Sequence, residues 1–435
     1  MSRVRTRVLV GAVALGVVAA AAAPSAAQPS PQPVPSYRMA DDAKKIEGKP
    51  SSDGAPLLEA GSVYRDAIAP GERVYRLVLD DRSSVYVSAV LQPPQGAKVA
   101  YNDGIQVEVM TTDGRACSGN PGRDAFMYDA VPLSAIGVRR LAEDSDCQQG
   151  GVYYAKVTRT AAKGSDQGEW PLELRVQREP GLAKGGAPTT APSVWPSASP
   201  TLPGTESVPR SGGTGFNDAR ALGSGVWRDE LRPGQTRYYR VPLDWGQQLS
   251  LGAELAAASR TKDSGSASRG LMVSLYTPYR GLVQYKDASY DGKQASVTLP
   301  KTAPVTYENR YSGDTAVRPV RVSGWYYIAV TLGGKVAEFT EDAVPVPLTL
   351  RMEVLGAAAQ GPAYRESLAA GGFGVDAEDR AAAKDGLTAV EAHDAAGNRS
   401  VMRVVAGAGF GTGSLLLLVL GGWMLLARRN RAQAA

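Results

Sequence analysis

The sequence predicts an all-β protein: two antiparallel β-sandwiches in tandem, closed by a C-terminal transmembrane helix. Three observations carry this. The chain repeats its own strand-like segments in the same order. Apolar residues inside those segments alternate with a period of two. One long uncharged apolar run stands near the C-terminus.

The repeat is legible by eye. GSVYRDAIAPGERVYRLVL near residue 60 is answered by SGVWRDELRPGQTRYYRVPL near residue 223. VYVSAVL (85–91) matches LSLGAEL (249–255), and GIQVEV (104–109) matches GLMVSL (270–275). GVYYAKVT (151–158) matches GWYYIAVT (324–331), and PLELRV (171–176) matches PLTLRM (347–352). A long ordered repeat means one fold used twice. At the head of each unit, DDAKKIEG (41–48) is set against NDARALGS (217–224), which makes residues 49–61 an insertion in the first copy.

Within the units, Val85, Val87, Ala89 and Leu91 share one face, as do Leu249, Leu251, Ala253 and Leu255. Leu172, Leu174 and Val176 alternate with Glu173 and Arg175. Half-buried strands read this way. Turn pairs bound them: Pro70-Gly71 and Pro233-Gly234 fit a type II turn, in which proline presets φ and glycine accepts a positive φ. With no long amphipathic helix between the strands, a sandwich is the expected packing.

Both ends carry membrane signals. Arg3, Arg5 and Arg7 precede an apolar stretch, Pro24 breaks it, and Ser25-Ala26-Ala27 offers a cleavage site, so residues 1–27 read as a secretory signal peptide. Residues 404–427 carry no charge. As a helix of about 1.5 Å per residue they span roughly 36 Å, enough for a bilayer core of about 30 Å. Arg428, Arg429 and Arg431 follow, which keeps a short tail, 428–435, in the cytoplasm and the bulk of the chain outside. The expected localisation is therefore the cell membrane, single-pass.

The remaining divisions follow composition. Residues 28–36 form a Pro-rich spacer, 37–180 the first sandwich, and 181–214 a Gly/Pro/Ser/Thr linker. Residues 215–355 form the second sandwich and 356–403 a stalk, in which AEDRAAAKDG (377–386) has the makings of a short helix. Cys117 and Cys147 lie in the exported region and are expected to form one disulfide, worth roughly 3–4 kcal/mol in the chain-entropy account.

The order of motifs in each unit resembles the bacterial pre-peptidase C-terminal (PPC) domain. The pattern is a DA-x-x-L/I head, PG[EQ], a YR strand, a G-x-x-L-x-V strand and a late G-x-YY-x-x-V. The second unit carries it on Asp218, Ala219, Leu222, Pro233, Gly234, Gln235, Tyr238, Tyr239, Gly246, Leu249, Gly324, Tyr326 and Tyr327. The first carries it on Asp42, Ala43, Ile46, Pro70, Gly71, Glu72, Tyr75, Gly151, Tyr153 and Tyr154, and has no glycine matching Gly246. The resemblance implies a jelly-roll-like sandwich and an accessory or binding role without chemistry of its own.

The residues point the same way. His393 is the only histidine and lies in the stalk, which removes Ser-His-Asp and Cys-His catalysis and multi-His zinc sites. There is no phosphate-cradling P-loop. The formal charge of +5 owes much to the terminal arginines, so nucleic acid is not an expected partner. Asp287-Ala288-Ser289-Tyr290-Asp291 lacks the second serine of a DxSxS metal site and reads as a strand and turn. Glu143, Asp144 and Asp146 beside Cys147, and Asp80-Asp81, are acidic turns without EF-hand spacing; Ca²⁺ is the one cofactor they leave open. No catalytic, cofactor-binding or metal-ligating residue is singled out.

What remains is binding. Tyr276, Tyr279, Tyr285 and Tyr290 are the candidate ligand-facing aromatics, suited to stacking on sugar rings or side chains. Gly407, Gly409, Gly411 and Gly413 give two overlapping GxxxG steps for helix packing and an expected dimer contact. The sequence thus supports a non-catalytic cell-surface protein presenting two modules to a protein or cell-wall glycan partner. An exported, carboxylate-based glycan hydrolase and a subunit of a membrane complex are the alternatives.

Overall fold

The computed structural model describes residues 34–119, 122–127, 129–141, 147–183, 190–198, 201–204, 206–341, 344–395 and 397, with Leu420 and Trp423. The signal peptide, the apolar run apart from Leu420 and Trp423 but including its four glycines, and the cytoplasmic tail lie outside the described residues. Among those described, no helix is long and apolar enough to cross a membrane.

The first unit holds β1 (Lys44–Lys45), β2 (Leu57–Leu58), β3 (Val63–Ile68), β4 (Gly71–Leu79), β5 (Ser83–Leu91), β6 (Gly104–Thr111), β7 (Gly122–Ala125), β8 (Leu133–Arg139), β9 (Gly151–Thr160) and β10 (Trp170–Pro180). The second holds β11 (Val208–Pro209), β12 (Arg220–Ala221), β13 (Gly225–Leu231), β14 (Thr236–Leu243), β15 (Gln248–Leu255), β16 (Ala267–Tyr276), β17 (Leu282–Tyr290), β18 (Ala295–Leu299), β19 (Gly324–Leu332) and β20 (Val346–Leu355).

Each unit is a sandwich of two five-stranded sheets. Their orders are β1-β3-β10-β5-β8 and β2-β4-β9-β6-β7 in the first, β11-β13-β20-β15-β18 and β12-β14-β19-β16-β17 in the second. The topologies coincide strand for strand, so the sequence repeat is a structural one. Pairing is antiparallel except at the two-residue edge strands that open each unit.

The period-two reading holds in the core. Val85, Val87, Ala89 and Leu91 pack with Leu172, Leu174 and Val176 inside the first sandwich. Leu249, Leu251, Ala253 and Leu255 do so in the second. Cys117 and Cys147 are disulfide-bonded, with Cα atoms 5.4 Å apart, pinning the loop after β6 to the segment before β9.

The unit heads align differently from the sequence expectation. Lys44–Lys45 pairs with β3, but Arg220–Ala221 pairs with β14, in the other sheet. The partner of β1 is therefore β11, and the counterpart of Arg220–Ala221 is Leu57–Leu58 on β4. Conserved geometry fixes this register. The N–H of Gly48 donates to Asp66 at 2.8 Å, and that of Gly212 to Asp229 at 2.8 Å. Tyr75 and Tyr239 donate to the same two carboxylates at 2.7 and 2.6 Å. Residues 49–61 are thus no insertion, Asp42 does not answer Asp218, and the second sandwich begins inside the expected linker. Edge strands of two residues are too short to show alternation, so nothing in the sequence sets their register.

The segment after β20 is packed on the sandwiches through Glu391, where the sequence suggests a free stalk. Ala359 N donates to Trp245 O at 2.8 Å, Arg365 N to Gly181 O at 2.9 Å, and Gly374 N to Ser323 O at 2.8 Å. Phe373 enters the core of the second unit. Helix α1 (Ala377–Asp385) is closed by an Asp376/Asp379 capping box and a left-handed Gly386. It is held by Trp325 to Asp379 at 2.8 Å and Arg380 to Asp244 at 2.7 Å. The apolar content is low, and the anchoring is mostly polar, which is why composition alone reads as linker.

Candidate functional site

The site begins with the way the two sandwiches meet. Residues that alternate outward on β5 and β10 (Tyr86, Val90, Glu173, Glu179) are buried, because the second unit and the tail cover that face. Val90 joins Tyr37, Phe216, Tyr238, Tyr276, Tyr327 and Ala329 in a small apolar cluster spanning the units. Phe216 makes edge contacts with Tyr238, Tyr276 and Tyr327 at 5.0–5.3 Å between centroids.

Two buried ion pairs sit in this junction. Glu173 Oε1 accepts from Arg280 Nη1 at 2.5 Å, and its other oxygen accepts from Ala40 N at 2.7 Å and Asn217 Nδ2 at 2.8 Å. Glu179 accepts from Arg310 Nη2 at 2.6 Å, Tyr86 Oη at 2.6 Å and Tyr364 Oη at 3.0 Å. Burial works to raise the Glu179 carboxyl, but Arg310 and the Tyr86 hydroxyl outweigh it and hold the group below its ordinary range. Arg280 sits on a tight turn at a φ of 63°, and its carbonyl accepts from Ser134 Oγ at 3.0 Å across the junction.

Beside this junction lies a cleft of about 200 Å³. Its floor is the outer face of β14, β19, β16 and β17, including Tyr238, Ala329, Met272 and Tyr285; its wall is the connection from β7 to β8 in the first unit. Phe126 anchors that wall in the first core, edge-on to Trp170 at 5.8 Å, which delivers Met127 to the rim. Met127, Leu282 and Tyr285 are 38, 47 and 39 % exposed and converge here from both units.

Polar groups are few and placed. Asp124 accepts from Ala125 N and Ser134 N, both at 2.9 Å. Burial nevertheless pushes its carboxyl up to about 6, outweighing those two N–H groups. Burial also raises Asp129, against the Gly334 N–H, Lys335 and Arg269. The Arg269 guanidinium lies 5.8 Å from the centre of the Tyr285 ring. Apolar platforms with a few fixed polar groups make a recognition surface.

The structure distributes the four singled-out tyrosines. Tyr276 and Tyr285 line the cleft. Tyr279 is buried in the junction, stacked on Tyr86 at 4.2 Å and 12°. Tyr290 is buried in the second core and donates to Ala256 O at 2.7 Å. The sequence reading missed Asp124, Met127, Arg269 and Leu282, because nothing local marks which outward strand positions a second sandwich will border. Of the acidic turns, Asp80 pairs with Arg178 at 3.3 Å, and 143–146 lies outside the described residues. Asp291 accepts from Lys293 N at 3.0 Å in a turn.

No family model matches the chain, and no curated protein matches it. Similar solved structures include the pre-peptidase C-terminal domain of a collagenase from Bacillus anthracis, 16 % identical, covering 28 % of this chain and 94 % of that one with a TM-score of 0.19. Others are the tandem CBM51 modules of a family 98 glycoside hydrolase from Streptococcus pneumoniae (11 %, 68 % and 85 %, 0.18) and a CBM22 tandem domain from Paenibacillus barcinonensis (14 %, 68 % and 92 %, 0.17). At identities and TM-scores of this size, these likenesses carry no functional statement about the chain.

Proposed function

We propose that the chain is a non-catalytic binding or accessory protein of the cell surface. Its two sandwiches act as one rigid head, and the cleft between them takes a glycan. One observation carries this: an exposed apolar rim, Met127, Leu282 and Tyr285, drawn from both units around buried hydrogen-bonding groups. Such a mix suits a sugar ring, which offers an apolar face and a polar edge. The disulfide supports an oxidising, exported location for the head. Membrane anchoring through residues 404–427, and pairing through its glycines, remain part of the proposal on sequence grounds.

The test is calorimetric titration of the full-length protein in detergent with wall-polysaccharide fragments. Binding should weaken at least about tenfold in Tyr285→Ala. Absence of binding across the fragments, or an unchanged affinity in that variant, defeats the glycan reading.

One observation favours the hydrolase alternative: Asp124 and Asp129 share the cleft and both have raised carboxyls. The two backbone N–H groups on Asp124 favour a structural role instead. Product formation from the same fragments, abolished by Asp124→Asn or Asp129→Asn, would decide for catalysis.

A further inference from the structure

Among the described residues, no cation balances one carboxylate of the cleft. Asp124 lines the cleft and is half-buried, so a ligand seated there can reach it. Its Oδ1 accepts from Ala125 N and its Oδ2 from Ser134 N, both at 2.9 Å. A carboxylate accepts about four hydrogen bonds, so each oxygen keeps a free lone pair. Burial and those two N–H groups set its charge state, and no arginine or lysine contributes. Tyr238 and Tyr276 on the floor stand close enough to feel that charge, and a phenol does not neutralise it.

Asp129, the second carboxylate of the cleft, is placed differently. Against its burial stand the Gly334 N–H, Lys335 and Arg269. The charge left over is thus that of Asp124. A carboxyl near 6 is ionised at neutral pH, and a carboxylate drawn out of water without a counter-ion is costly. A cation entering the cleft removes that cost through a charge-assisted hydrogen bond. Calcium takes about six to eight oxygen ligands, more than a rim of Met127, Leu282 and Tyr285 supplies. An ammonium needs far fewer, and on a carrier with an apolar face it uses both parts of the site: the carboxylate takes the charge and the rim takes the face.

We propose that the cleft selects an amino sugar with a free amine, its ammonium paired with Asp124 and its ring lying on Tyr285. This inference rests on the glycan reading and narrows it to a cationic sugar.

The probes are a glucosamine tetramer with free amines and its N-acetylated twin of the same linkage. Each is titrated calorimetrically into the full-length protein in detergent at matched ionic strength and about pH 6.5, above the Asp124 midpoint of about 6. The free-amine tetramer should bind at least about tenfold tighter than its twin. Asp124→Asn should erase that preference; should the variant lose the fold, the paired probes still test the charge on the wild type. Equal affinity, or tighter binding of the acetylated tetramer, overturns the inference and leaves the glycan reading standing. A preference that survives in folded Asp124→Asn overturns it as well. Binding of neither tetramer, where other wall fragments bind, ends this inference alone, whereas no binding by any fragment defeats the glycan reading and this inference with it.

Discussion

Glu173 and Arg280 meet at 2.5 Å, one on β10 of the first sandwich and the other on a turn of the second, with both side chains essentially removed from solvent. Every oxygen of that carboxylate has a donor. Removing one partner strands the other, so Glu173→Gln should cost about 3–5 kcal/mol. The loss should fall on the junction, so that scanning calorimetry shows one unfolding transition dividing into two. A single transition at the wild-type temperature would contradict the coupling.

Glu179 predicts acid sensitivity. Its unfolded value is 4.5, and its folded value is lower because Arg310 and Tyr86 overcome burial. A depressed carboxyl contributes stability above the unfolded value and loses it as the pH falls through the folded one. Thermal unfolding from about pH 3 to about pH 7 should therefore show a steeper acid decline in the wild type than in Glu179→Gln. Parallel curves would refute it.

Asp124 predicts the opposite slope. Its carboxyl moves from 3.8 to about 6 on folding. A raised carboxyl contributes stability below the unfolded value and loses it as the pH rises through the folded one. Relative to Asp124→Asn, the wild type should lose roughly 2–3 kcal/mol between about pH 3 and about pH 7, most steeply near pH 5, between the unfolded and folded values. Carboxyl NMR of the folded protein should find a midpoint near 6; a value near 4 would exclude it.

The disulfide closes a loop with a sequence separation of 30. Replacing both Cys117 and Cys147 by serine should cost about 3–4 kcal/mol. The loss should register in urea unfolding and leave the second sandwich's own core intact.

Alternation within strands made the duplicated sandwiches and their cores legible, because a residue such as Val87 or Leu251 can point only inward or outward. The same rule hid the junction. Glu173 and Glu179 alternate with Leu174 and Val176 as surface charges do, and only the docking of a second sheet makes them interior. Tyr86 and Tyr279 each look like surface aromatics until their stack is seen. The cleft was half legible: aromatic enrichment marked Tyr276 and Tyr285, but Asp124 and Met127 come from a connection with no motif.

The segment from Ala359 to Glu391 crosses both units before the chain continues towards its C-terminal apolar run. Arg365 meets the start of the inter-unit linker, Tyr364 touches the Glu179–Arg310 pair, and Glu391 holds Arg220 at 2.7 Å. Tension arriving from that end would peel these small polar clasps one by one, sparing the hydrogen-bonded ladders behind them. Such a load would reach the strap, and the Phe373 that it lodges in the second core, before it reached either β-fold.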